Sequence, residues 1–260
     1  MYECIHPYNL TSSNNTTIWR YLDFTKFASL LDTETLFFCR SDKFEAPFEG
    51  ATSTLTSSKR MSRIEKLVAN HPIEADKDAF RERLIINYKN RYHLRKRVAI
   101  NCWQKNEFES EAMWKLYVPS KEGIAIKTNI GALTSALTKA QSSENVHLAD
   151  VRYVDYENYE FQDHASLDPF ITKRVSFSHE NEFRAFIVRD LSDMNLHIEL
   201  HESPIEHGIN VKVDLNELIQ DIYIFPTAPA WFKSLVVSIC EKYSLNCTIN
   251  HSSLNKDPVF

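Results

Sequence analysis

The chain has 260 residues, 43% apolar and 12% aromatic, so one large or two small domains with a sizeable core are possible. A net charge of −5 argues against a molecule that binds nucleic acid over its whole surface. Only four glycines are present, and neither GxGxxG nor a P-loop pattern occurs, which excludes the usual glycine-rich phosphate cradles.

Residues 1–16 are polar and read as an arm or turn. Residues 18–22 form a strand, and Asp23 caps a helix with Phe24, Phe27, Leu30 and Leu31 on one side. A second strand covers 35–39, a loop covers 40–50, and a Ser/Thr-rich stretch that turns basic follows over 51–66. Helical spacing is expected over 76–97, then a strand at 98–103, a helix at 110–118, a strand at 123–128 and a helix at 129–140. Strand signals dominate afterwards, at 146–156, 181–189, 197–202 and 209–213. A short helix at 214–220 and a strand at 221–225 precede a helix opened by Pro229 and running to about Tyr243. Trp231, Leu235 and Ile239 share one side of that helix, and 246–250 closes the chain as a strand. With no repeat or low-complexity linker, the order predicts a single α+β domain over 1–260: a mixed, bent sheet with flanking helices.

The five cysteines are odd in number and contain no CxxC, so neither a disulfide framework nor a zinc site is expected, and Cys39 and Cys102 read as small core residues. No HExxH and no GxSxG occurs; His197 and His201 stand four apart in what alternates like a strand. No basic leader and no long apolar run is visible, so a cytoplasmic protein with no membrane partner is expected.

The most informative stretch is Ser178-His179-Glu180-Asn181-Glu182-Phe183-Arg184. On a strand Glu180, Glu182 and Arg184 point the same way, and acids are poor strand formers. Two readings stand: a salt-bridged sheet edge, or carboxylates held for chemistry on a cationic transition state.

Several segments, in order, resemble the bacterial domain-of-unknown-function family numbered 2971: residues 21–36, Ser41-Asp42-Lys43-Phe44-Glu45-Ala46-Pro47-Phe48-Glu49-Gly50, Cys102-Trp103-Gln104, Met113-Trp114-Lys115-Leu116-Tyr117, residues 123–126, residues 151–156, Lys173, and Glu180-Asn181-Glu182-Phe183-Arg184. They cover most of 18–190, with 191–260 completing the sheet and adding a helix. That family in turn resembles ADP-ribosyltransferases in layout, with an early strand, a helix, a middle strand and a late strand bearing the glutamate.

The resemblance implies NAD as a substrate, no metal, and transfer of ADP-ribose to a macromolecular acceptor. Glu182 would accept from the ribose 2′-hydroxyl and stabilise positive charge at the sugar, while Glu180 orients the acceptor. Arg20 and Tyr21 on the first strand, and Arg40 with Ser41, are candidates for phosphate and ribose; Trp103, Trp114 and Tyr117 are candidates for an aromatic wall, and equally for core. Glu49 reads either as a pocket acid or as turn chemistry. Lys89, Arg91, Arg95, Lys96 and Arg97, interleaved with Tyr88, Tyr92 and His93, read either as a nucleic-acid grip or as a solvated helix face, and tilt the acceptor towards nucleic acid over protein. A toxin or anti-phage effector of this class would have a neutralising antitoxin protein as a partner. The alternatives are a non-catalytic nucleic-acid or protein-binding module on the same fold, and a metal-dependent nuclease using Glu49, Glu180 and Glu182.

Overall fold

The computed structural model describes residues 5–162, 166–189, 203–256 and 258. Strand β1 (Ile5–Pro7) leads into a polar stretch. Asp150 pins that stretch: its carboxylate accepts from the backbone N–H and hydroxyl of Thr11 and of Ser12, and pairs with Lys105. Strand β2 (Thr17–Asp23) buries Ile18, Trp19, Tyr21 and Leu22. Asp23 accepts from the Lys26 N–H and so caps α1 (Phe24–Thr33), as expected. Helix α1 buries Phe27, Leu30 and Leu31, ends with Glu34 at φ 50, and gives way at once to β3 (Thr35–Arg40).

Helix α2 (Thr54–Ala69) has no counterpart among the expected elements. Its start is capped by Ser53, and its buried face is only Thr56, Ile64 and Val68, too sparse to register as periodicity. Helix α3 (Lys77–Asn90) stops earlier than expected, and Arg91–Lys96 winds as a 3-10 helix instead. Then come β4 (Val98–Lys105), α4 (Glu111–Tyr117), β5 (Gly123–Asn129), α5 (Ile130–Lys139) and β6 (Val146–Asp150). Strand β7 (Arg152–Val154) pairs with β8 (Thr172–Arg174) in a small parallel ribbon. A 3-10 helix, Val175–Glu180, delivers the chain to β9 (Glu182–Val188). The last elements are β10 (Gly208–Lys212), α6 (Leu215–Leu218), β11 (Asp221–Ile224), α7 (Ala230–Lys242) and β12 (Thr248–His251). The strand expected at 197–202, with its histidines, lies outside the described residues.

Ten strands form one mixed sheet in the order β1-β6-β9-β4-β2-β5-β11-β12, with β3 pairing both β4 and β10. The outermost pairs, β1–β6 and β11–β12, are parallel, and the others are antiparallel. Strands from both ends of the chain therefore share one sheet, giving the α+β architecture expected. The main core joins α1 and α5 to the sheet through Phe27, Leu30, Leu133, Leu137, Phe183 and Ile187. Helix α7 turns Phe232, Val236 and Cys240 inward, one position on from the expected stripe, while Trp231 and Leu235 are exposed.

One detail of pairing makes the site. Strand β4 pairs with β2 only at Gln104–Trp19 and Lys105–Ile18, and with β3 only at Ala99–Arg40 and Ile100–Cys39. Residues 101–103 of β4 lie between those two partners, where β2 and β3 splay apart.

Candidate active site

A cavity of ≈ 630 Å³ opens at this split. Its walls come from β2 (Trp19, Arg20, Tyr21), β3 (Leu36, Phe37), β4 (Cys102, Trp103, Gln104) and α1 (Lys26, Leu30), and from Tyr117, Glu180 and Glu182. The volume lies in the range of small-molecule sites, roughly 300–1,000 Å³.

Glu182 opens β9 and sits opposite Gln104. Strand β9 runs between β4 and β6, so the glutamate is in the sheet interior and not at an edge. Glu180 is not on the strand. Asn181 adopts φ 39, ψ 56, a left-handed conformation that asparagine tolerates better than most residues, and this breaks the alternation. The two carboxylates still meet, because Lys173 on β8 bonds both, reaching Glu182 at 3.0 Å.

Behind them lies a buried charge network centred on Arg184, which has 0% side-chain exposure. Its guanidinium pairs bidentately with Glu49 and with Glu182, and also donates to the Phe170 carbonyl. Glu49 comes from the turn ending in Gly50 at φ 66, where an added Cβ would stand 2.5 Å from the Phe170 ring. Three carboxylates (Glu49, Glu180, Glu182) against two cations leave one net negative charge facing the cavity.

Burial opposes charge on Glu182, but Arg184 and Lys173 outweigh it and hold the carboxyl down to about 2. Burial likewise opposes charge on Lys173, and Glu182 with Glu180 keeps it raised. Glu182 is therefore an anion at any physiological pH. A carboxylate has about four lone-pair positions. Arg184 takes two of them and Lys173 one, which leaves room for one further donor. Burial, then Glu182, raises the pKa of the neighbouring Cys102 well above the usual thiol value, so this thiol stays neutral.

Arg20 lies 5.6 Å from the centre of the Trp103 ring. Its Nη1 is buried with no hydrogen-bond partner among the described residues. Burial pulls its pKa down to about 10, which leaves it cationic at neutral pH. Tyr21 also lines the cavity, its hydroxyl accepting from the Ser110 N–H, and Trp103 is held by its Nε1 donating to Asn101. Burial and then Glu180 raise the Tyr117 pKa, which puts its hydroxyl in the field of the glutamates.

Other expected site residues lie elsewhere. Arg40 is buried against Asp42, Ser203 and the Ile205 carbonyl, which occupy its fork, and Ser41 donates to the Arg95 carbonyl; neither lines the cavity. Trp114 does not line the cavity: it packs behind Trp19, Tyr21 and Met113, which do, and donates to Glu109. The basic run is not one exposed face: Lys89 is exposed and Lys96 half-buried, whereas Arg95 and Arg97 are buried where the helix has given way to the 3-10 turn. The side chain of Arg91 lies outside the described residues. Trp19, Cys102, Gln104 and Lys173 are added to the site. The pairing of β4 with β9 and β2 brings in Cys102, Gln104 and Trp19, and the ion pairs to the glutamates bring in Lys173; neither is visible before the strands are paired.

No protein-family model and no curated protein matches the chain, so family 2971 finds no match here. Two solved structures are similar. Thermus sp. 2.9 DarT in complex with NAD+ matches over 93% of this chain and 98% of its own, at 10% identity and a TM-score of 0.38. The same protein in complex with carba-NAD+ matches over 92% and 96%, at 10% identity and a TM-score of 0.35. At these values the functional reading rests on this chain's own residues.

Proposed function

We propose that this protein binds NAD in the cavity between β2 and β3 and transfers its ADP-ribose to a macromolecular acceptor. The observation that carries the reading is a buried, ionised Glu182 sharing one aromatic-walled cavity with Arg20, whose Nη1 has no hydrogen-bond partner among the described residues. A dinucleotide needs a cation for its diphosphate, flat surfaces for its bases and an acceptor for a ribose hydroxyl. Arg20 supplies the first, Trp103 and Tyr117 the second, and the lone-pair position of Glu182 left over by Arg184 and Lys173 the third.

Cleavage breaks the bond from C1′ to the nicotinamide nitrogen, and the electron pair leaves with nicotinamide. Glu182 opposes the positive charge that develops on the sugar, and its rigid pairing to Arg184 and Lys173 removes the need to reorganise during the step. An acceptor nucleophile then bonds C1′ and releases a proton on the Glu180 side of the cavity. Arg174 stacks on Phe48 at 4.3 Å and Phe177 at 5.4 Å, and Lys173 is 5.4 Å from Phe177. Rings and cations beside Glu180 favour a nucleic-acid acceptor over a protein. The same three acids hold Lys173 and Arg184 between them, so most of their charge and lone pairs are taken by protein cations and they are poorly suited to a divalent metal.

The test is incubation with adenylate-labelled NAD and separated cell RNA, DNA and protein, comparing wild type with Glu182→Gln. Label in one fraction, reduced roughly 100- to 1000-fold in the variant, is expected. A folded wild type that neither binds NAD nor labels any fraction overturns the proposal.

A further inference from the structure

Gln104 ends the unpaired gap of β4, opposite Glu182 on one side and Trp19 on the other. It is 3% exposed and lines the cavity, and its Oε1 has no hydrogen-bond partner among the described residues. Buried polar atoms normally find partners, and each exception calls for a reason. The same cavity holds the complementary exception, the donor Nη1 of Arg20, and the two are not bonded to each other. A ligand bearing both an anionic group and an amide N–H satisfies both.

We infer that Gln104 reads the carboxamide of nicotinamide, its Oε1 accepting from the carboxamide N–H. This rests on the NAD reading above and deepens it. Directly paired residues on neighbouring antiparallel strands hold their Cβ atoms about 4.5–5.5 Å apart. A glutamate at the ribose 2′-hydroxyl therefore places its cross-strand partner beside the base carried on C1′. Adenine is separated from that point by the diphosphate and a second ribose. Trp19, the other neighbour of Gln104, lines the cavity with its ring fixed by Nε1 donating to the Asn106 carbonyl. The pair thus presents a flat surface and an acceptor, the two features an aromatic carboxamide requires.

The test uses isothermal titration of wild type and Gln104→Leu with NAD, with acetylpyridine adenine dinucleotide and with ADP-ribose. The acetylpyridine compound replaces the carboxamide NH2 with a methyl group and so removes the donor. Wild type is expected to bind NAD at least roughly tenfold tighter than this analogue. Gln104→Leu is expected to lose that preference while keeping its affinity for ADP-ribose, which also reports that the cavity is intact. A wild type that binds both dinucleotides equally, or a variant that keeps the preference, overturns the inference and leaves NAD binding standing. The wild-type comparison decides even if the variant does not fold. Absence of binding to both NAD and ADP-ribose overturns the NAD reading and the inference together.

Discussion

Glu49→Gln should weaken the fold far more than loss of an ordinary ion pair. Glu49 and Arg184 are 1% and 0% exposed and joined by two bonds, so removing the charge of one strands part of the other in the interior. Breaking a buried pair from one side costs about 3–5 kcal/mol. The low end applies here, because Arg184 keeps Glu182 and the Phe170 carbonyl, and glutamine still offers one acceptor. At about 2–4 °C per kcal/mol for a chain of this size, Tm should fall by roughly 6–12 °C. Arg184→Met should fall at or beyond the high end, since Glu49 and Glu182 would then lie buried with Lys173 alone. Because both changes remove the same pair, the double variant should fall short of the sum by roughly 2 kcal/mol in urea unfolding followed by tryptophan fluorescence. The control is Glu160→Gln, whose pair with Lys59 is 45% and 51% exposed and should be worth less than about 1 kcal/mol. Strict additivity, or a Glu49→Gln cost no larger than the control, would refute the account of the network.

The depressed pKa of Glu182 sets a pH dependence with a definite sign. Its folded value is below the ordinary carboxylate value, so its contribution to stability is present at neutral pH and lost as pH falls towards about 2. An acid limb in transferase activity above pH of roughly 4.5 would therefore belong to another group, and Glu182→Gln would leave any such limb in residual activity unmoved. Gly50→Ala forces a left-handed alanine against the Phe170 ring; a cost above about 2 kcal/mol is expected in thermal melts, well above that of Gly131→Ala, where φ is ordinary and the nearest atoms stand at 3.2 Å. Asp150→Asn weakens the anchor of residues 11–12 and the pairing with Lys105, and limited proteolysis should cut the variant in the 9–16 stretch before wild type.

Much of the architecture is legible in the sequence because it rests on local rules. The Asp23 cap, the strand runs that become β4 and β9 and the Pro229 helix start are read from a few adjacent residues. What stays hidden depends on distant pairing. Glu49 is a turn acid until Arg184 reaches it across 135 positions. Arg40 looks like a phosphate ligand until Asp42 and the 203–205 segment claim its fork. Glu180 looks like a strand residue because nothing local announces the left-handed Asn181. Lys89–Arg97 looks like one basic helix because composition cannot show that the helix unwinds at residue 91 and turns two arginines inward.

The interior position of β9 has a consequence for how this protein breathes. A glutamate on a loop sits in the part of a molecule that opens first, whereas Glu182 opens a strand flanked on both sides by partners, its own N–H donating to the Tyr153 hydroxyl. Hydrogen exchange of the amides inside that strand, residues 184–187, should proceed only through openings close in free energy to global unfolding. Heating would then remove the site and the fold in one event, with no inactive but folded species between them.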